Sequence, residues 1–200
     1  MAWNKTHKAQ SKDKILQSAA LLFTHQGFEQ VSIDQVMEKA KMTRGAFYSH
    51  FSSKSDLYAQ ALAKASKVAQ QRISTNTRND LQQLALSYLS VQHINDITEQ
   101  ACPLAFLVSD INQQDATVRA AYTDIFEKFI QQTQDLTQDR QLAIQNSVMM
   151  IGGLAIARAI ENNDFSDEIL QACQCAVKAS SINKKQCAKE KEKEKEEGGI

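Results

Sequence analysis

Residues 40–51 read Ala40-Lys41-Met42-Thr43-Arg44-Gly45-Ala46-Phe47-Tyr48-Ser49-His50-Phe51. Lys41-Met42 is a short turn, Thr43 is a residue type suited to capping a helix, and Arg44 to about His50 is a very short third helix. Just upstream, Ser32-Ile33-Asp34-Gln35 is a capping box, a serine followed three residues later by glutamine. It opens a second helix at about Ile33, with Ile33, Val36, Met37 and Ala40 on its inner face. Downstream, Ser53-Lys54-Ser55-Asp56 is a further cap with an acid at its third position, opening a long helix from Lys54 to about Arg72. Upstream, Ile15, Leu16, Ala19, Leu22 and Phe23 share one face of a first helix from about Lys12 to Gln26. Gly27 is expected to end that helix as a left-handed cap. A longer supporting helix followed by two short ones across a tight turn is a helix-turn-helix.

Further along, a polar break at Ser74–Asn79 separates this unit from five more expected helices. They fall at about Asp80–His93, Pro103–Ile111, Ala116–Gln134, Gln138–Asn162 and Ser166–Ser180. Pro103 suits a first helical turn, where no N–H is needed. One proline and six glycines in 200 residues, with 42% hydrophobic and 23% charged residues, fit an all-α globular chain. The tail from Asn183 alternates Lys and Glu over 189–197 without an apolar residue, so it is expected to be disordered or a loosely solvated helix.

The formal net charge is +0, yet residues 1–75 hold eleven Lys/Arg against five Asp/Glu. A basic N-terminal third on a neutral protein is a footprint for a polyanion. The arm carrying Lys5, His7 and Lys8 reads as a solvated tail in preference to a minor-groove arm. No stretch approaches eighteen consecutive apolar residues, and no charged-then-apolar leader opens the chain, so a cytoplasmic location without a membrane is expected. Cys102, Cys173, Cys175 and Cys187 form no paired C-x-x-C motif, and His7, His25, His50 and His93 show no ligand spacing with them. Neither a metal nor any other cofactor is expected.

The stretch Val31–Val36, then Ala40–Phe51, then Lys54-Ser55-Asp56-Leu57 closely resembles the N-terminal signature of the TetR family of regulators. The lead-in Ile15-Leu16, Ala19-Ala20, Leu22-Phe23 and Gly27-Phe28 fits it too, and the likeness spans about residues 12–60. It implies a three-helix DNA-binding domain over 1–53, an effector-binding and dimerisation domain over 54–182, and a charged tail over 183–200. It also implies roles residue by residue. Ser32 and Thr43 would bond phosphates at helix starts. Arg44 would read guanine O6 and N7. Gly45 and Ala46 would let the helix approach base edges. Tyr48 and His50 would contact phosphates, and Lys54 would fix register on the backbone. Phe47 and Phe51 read as core.

A short recognition helix buries too little to be specific alone, so a homodimer on a palindromic double-stranded operator is expected, its half-sites about 34–36 Å apart. The last two helices are the candidate interface, through Leu142, Ile144, Val148, Met149, Ile151, Leu154 and Ile169, Leu170, Val177. The central helices would surround a small, mainly apolar effector, with Tyr88, Leu89, Phe106, Tyr122, Phe126 and Met150 as candidate wall residues. Ala101-Cys102-Pro103-Leu104 resembles a turn in a subset of the family whose cysteine senses electrophiles or oxidants, which makes Cys102 a candidate redox sensor. The expected function is a ligand-responsive repressor, with a thiol-sensing repressor or an activator of the same fold as alternatives. No nucleophile elbow, P-loop, dinucleotide fingerprint or metal spacing points to an enzyme.

Overall fold

The computed structural model describes residues 2–76, 80–95 and 102–197, with side chains over 6–71, 80–95 and 102–181. Among the described residues there are eleven α-helices and no strand. The chain forms two compact units that interleave in sequence: residues 1–72 with 95–128, and residues 73–94 with 129–200.

The first unit opens with α1 (Ala2–Gln30), which begins ten residues earlier than its apolar face suggests and takes the basic arm into regular helix. The arm is therefore not a tail. Its polar residues 6–10 have exposed side chains, so they carry no apolar signal by which periodicity would find them. Gly27 breaks α1 near its end, with φ 77 and ψ 177. That is not the left-handed cap expected, but an extended positive-φ conformation open essentially to glycine alone. The corner aims Phe28 back at Phe23 (6.2 Å between ring centroids) and at Tyr58 (5.2 Å).

α2 (Ile33–Lys39) and α3 (Arg44–Tyr48) follow, and then α4 (Lys54–Asn76). Ile15, Ala19, Phe23, Val31, Val36, Phe47, Phe51, Leu57 and Tyr58 are buried and make the core beneath them. At about 25 cal/mol per Å2 of apolar surface removed from water, this burial is the main force holding the short helices in place. α2 and α3 are themselves too short to be stable alone. The remainder of the unit comprises α7 (Pro103–Phe106), α8 (Val108–Ile111) and the start of α9 (Ala116–Thr137). A single helix over 103–111 was expected; Leu107, at φ −119 and ψ 7, splits it into two single turns.

In the second unit, α5 (Leu81–Tyr88) is capped by the Asp80 carboxylate and ends at Leu89, whose ψ of 61 stops the helix. α6 (Val91–Ile94) is one further turn. The end of α9, α10 (Arg140–Ala159) and α11 (Asn163–Glu197) complete it. α10 and α11 are closely packed: a Cβ on Gly153 would lie 2.7 Å from the Cys173 Sγ, so a larger residue there would have to displace the Cys173 side chain. α10 has the length and hydropathy of a membrane span, but 44% of that window is buried within the protein. Ser147 and Asn146 are among its buried residues, the first bonded to Thr133 and the second to Ser180.

Candidate nucleic-acid interface

α2 starts as its sequence dictates. The Gln35 amide donates to the Ser32 hydroxyl oxygen at 3.1 Å, and the Ser32 amide donates to Gln35 Oε1 at 2.6 Å. This reciprocal cap leaves Ser32 exposed at the helix N-terminus. Thr43 occupies the corresponding place on α3 with an extended backbone, but its hydroxyl makes no capping bond. The cap there is made by the backbone, the Ala46 amide donating to the Thr43 carbonyl at 3.0 Å.

α3 has one buried side chain, Phe47, which stacks with Phe51 at 5.7 Å. Thr43, Arg44, Gly45 and Tyr48 are all exposed, Tyr48 at 63%, and Ala46 is half-buried. The Tyr48 ring stands edge-on to Phe47 at 5.0 Å, which fixes its direction. Gly45 has open space around it: an added Cβ would meet only Thr43 Oγ1, at 3.9 Å. Nothing inside this molecule requires a glycine at that position.

Arg44 pairs with Asp34 at 3.1 Å, both well exposed. A hydrogen bond with Tyr48 and the Asp34 charge both raise the guanidinium pKa. The pair spans α2 and α3 and holds the side chain out along the helix surface. An exposed pair of this kind is worth little in stability, so it can be exchanged for another acceptor at small cost.

The next start, at α4, is built from Ser52, Ser53 and Asp56. The Asp56 amide donates to Ser53 Oγ at 3.0 Å, and the Asp56 carboxylate accepts from the Ser52 amide and from the Gln60 side chain. Burial works against that carboxylate, but the bonds from Ser52 and Gln60 and the Lys12 charge outweigh it and lower its pKa. Lys54 is the first residue of this helix, and its ammonium lies over the Phe28 ring at 4.1 Å from the centroid. A cation held on an aromatic face is a lysine with a fixed address. His50 is half-buried beside Phe51; burial lowers its pKa, and Lys8 and Lys12 lower it further.

All eight residues expected to meet DNA lie at the N-caps of α2 and α3, on α3, in the turn after it or at the start of α4, in one unit. Sequence reasoning missed Lys12, which sits over the Phe51 ring at 5.5 Å, and Asp34, which orients Arg44. The spacing of Asp34 and Arg44 across a turn gives no periodic signal.

The effector candidates are not gathered so neatly. Tyr88, Leu89 and Met150 are fully buried in the second unit, while Phe106, Tyr122 and Phe126 are half-buried in the first. The Tyr122 hydroxyl donates to the Leu104 carbonyl at 2.8 Å, and burial raises its pKa, so it stays a donor. Leu89 lines a cleft of about 290 Å3 with Ser90, Leu170 and Gln174. Cys102 is 4% exposed at the start of α7. Cys187 lies outside the residues whose side chains are described.

Residues 15–61 match the family model described as bacterial regulatory proteins, tetR family. Over 78 residues the chain is 33% identical to the Transposon Tn10 TetC protein of Escherichia coli, covering 37% of this chain and 40% of that one. Over 51 residues it is 31% identical to IcaR of Staphylococcus aureus, an HTH-type negative transcriptional regulator of a biofilm operon, covering 26% and 27%. The aligned stretches thus span less than half of these curated relatives. The whole fold is similar to that of a TetR-family transcriptional regulator from Cytophaga hutchinsonii, with a TM-score of 0.74 at 16% identity over 86% of this chain and 96% of that one.

Proposed function

We propose that the chain is a member of the TetR family of bacterial regulatory proteins, whose model matches residues 15–61, and that it is a transcriptional repressor, not an enzyme, that binds a palindromic DNA operator as a homodimer in the cytoplasm and is released by a small apolar effector. The observation that carries this reading is the division of α3. Phe47 alone is buried, while Thr43, Arg44, Gly45 and Tyr48 are left outside, and Arg44 is held there only by an exposed pair with Asp34 and a bond with Tyr48. A helix of that width fits the major groove, about 12 Å across. Arg44 is then the base-reading residue, Gly45 and Ala46 allow close approach, and Ser32, Thr43, Tyr48, His50 and Lys54 hold phosphates.

Dimerisation is supported by the outer face of α10. Ile144, Val148 and Ile156 are exposed there at four-residue spacing, and a Cβ on Gly152, which completes the stripe, would meet nothing. Leu142, Ile151 and Leu154 are not part of this exposed face: Leu142 is half-buried and the other two are buried within the unit. For the effector, the buried Asn146 offers an amide Nδ2 with no partner among the described residues, a donor that an oxygen on an otherwise apolar molecule would satisfy. α4 carries the chain directly out of the reading head, so an effector that favours one conformer of the rest of the chain would change the spacing of the two heads.

The test is selection from random duplex DNA at about 150 mM salt, where nonspecific binding is weak. Enrichment of a palindrome with half-sites about one helical turn apart is the expected result. A folded dimer that enriches no sequence would overturn the reading.

A further inference from the structure

A cleft of about 310 Å3 opens in the first unit between the N-terminal half of α1 and the α2–α3 turn. Its walls bring together His7, Gln10, Ser11 and Lys14 of α1 with Lys39 and Lys41, and none of its lining residues is acidic. The Ser11 hydroxyl is already used, donating to the His7 carbonyl at 2.8 Å. Among the described residues, none of Lys14, Lys39 and Lys41 makes an ion pair. Three lysines thus line one small space.

Lys39 has an ordinary explanation, because a cation in the last turn of α2 complements the helix dipole. Lys41 has none. The end of α2 is a Schellman motif, in which the Lys41 amide donates to the Glu38 carbonyl and the Met42 amide to the Met37 carbonyl, both at 2.9 Å. The pivot of this motif is left-handed, and glycine is its usual occupant. Lys41 holds the pivot at φ 55, a conformation that side-chain-bearing residues adopt at a cost. The cost sets Lys41 on the cleft wall, and among the described residues its side chain makes no ion pair. The cleft is also continuous with the reading surface: Met42 lines it, and Thr43, the next residue, caps α3.

We propose that this cleft is a phosphate site for the DNA backbone just outside the bases reached by α3, with Lys41 and Lys14 as its principal counter-charges. The proposal rests on the DNA-binding reading above and extends it to a second, sequence-independent anchor on each reading head. A duplex carries one charge per about 1.7 Å of axis, so a strand engaged at the start of α3 presents further phosphates to the residues beside that start.

The experiment uses the full-length protein and its selected operator. Lys41→Gly suits the pivot and is expected to melt at or above the wild-type temperature, so loss of folding cannot mimic loss of binding. The Lys41→Gly/Lys14→Gln double variant is expected to bind the operator with a log K against log salt slope smaller by about 1.8, the contribution of one phosphate at each of the two reading heads, with unchanged base preference. Shortening the flanking base pairs is expected to bring the wild-type slope down to that of the variant. An unchanged slope, or an altered base preference, would overturn the phosphate site while leaving the DNA-binding reading intact. A wild-type protein with no salt-dependent affinity for DNA would overturn both.

Discussion

Asp110 and Tyr58 are joined by a 2.5 Å hydrogen bond, the tyrosine hydroxyl donating to Oδ2 of the carboxylate. The other oxygen, Oδ1, accepts from the Phe28 amide at 3.1 Å, on the far side of the Gly27 corner. A one-turn helix distant in sequence therefore grips the end of α1 and the first turns of α4 together. Burial, then the bond to Asp110, drives the phenol pKa far above its ordinary value, so Tyr58 remains a donor at any working pH. Removing one partner leaves the other unsatisfied at about 1–3 kcal/mol. Tyr58→Phe and Asp110→Ala are each expected to destabilise by about that amount in urea unfolding. The double variant should fall short of their sum by about 1 kcal/mol or more, as residues in contact do. Strict additivity would mean that the bond carries no energy.

Gly45 separates stability from recognition. Gly45→Ala has room in the free protein, and alanine is the better helix former by about 0.8–1.0 kcal/mol. The variant is expected to unfold at higher denaturant concentration and yet bind the operator more weakly, because the added methyl group meets base edges. Arg44→Ala should instead lose roughly ten- to a hundredfold of discrimination at one position of each half-site. Equal losses on every sequence would reassign Arg44 to the backbone.

His50 is expected to make operator binding pH-dependent. In the free protein its pKa lies below 6.5 through burial and the nearby Lys8 and Lys12. A phosphate favours the protonated form and raises that pKa in the complex. Binding then takes up a proton between the two values, so affinity increases as pH falls through this window, by at most about tenfold per pH unit for one proton. His50→Gln should flatten the profile. A wild-type profile already flat between pH 5.5 and 7.5 would remove His50 from the interface.

The outer stripe of α10 is expected to hold the dimer. Val148→Glu places a charge on an exposed residue, so the monomer should keep its helical circular dichroism while sedimentation shifts to single chains. A variant that remains dimeric at micromolar concentration would move the interface elsewhere.

Cys102 is expected to be slow to react. Thiols act as thiolates in accessible, electropositive surroundings, and Cys102 is 4% exposed whereas Cys175 is exposed. Maleimide labelling of the folded protein followed by peptide mapping should modify Cys175 well before Cys102. Rapid labelling of Cys102 that also abolishes operator binding would instead support the thiol-sensing alternative.

The helix-turn-helix was legible because its signals are local. Ser32 and Gln35 cap α2 through adjacent turns, and Phe47 and Phe51 are one helical turn apart. The α1 start was not legible, since residues 6–10 are polar and exposed. Nor was the break at Leu107, which has no glycine or proline to announce it. Asp110 carries no signal of its own in the sequence. Its role depends on Phe28 and Tyr58, which are 82 and 52 residues away, and no pattern within one helix encodes that. Likewise, the effector residues were chosen for bulk and aromaticity, and bulk alone marks core as readily as a binding wall.

The cap at Ser32 has a further consequence, concerning the direction in which a hydrogen bond points. Capping engages only a lone pair of the hydroxyl, which accepts from the Gln35 amide, and its proton remains to be given away. Aspartate and asparagine cap a helix about as well as serine, but a carboxylate has no proton to give and would face a phosphate as a like charge. Ser32→Asp is thus a polarity reversal that keeps a capping acceptor at the helix start, and it is expected to leave the fold intact while weakening operator binding.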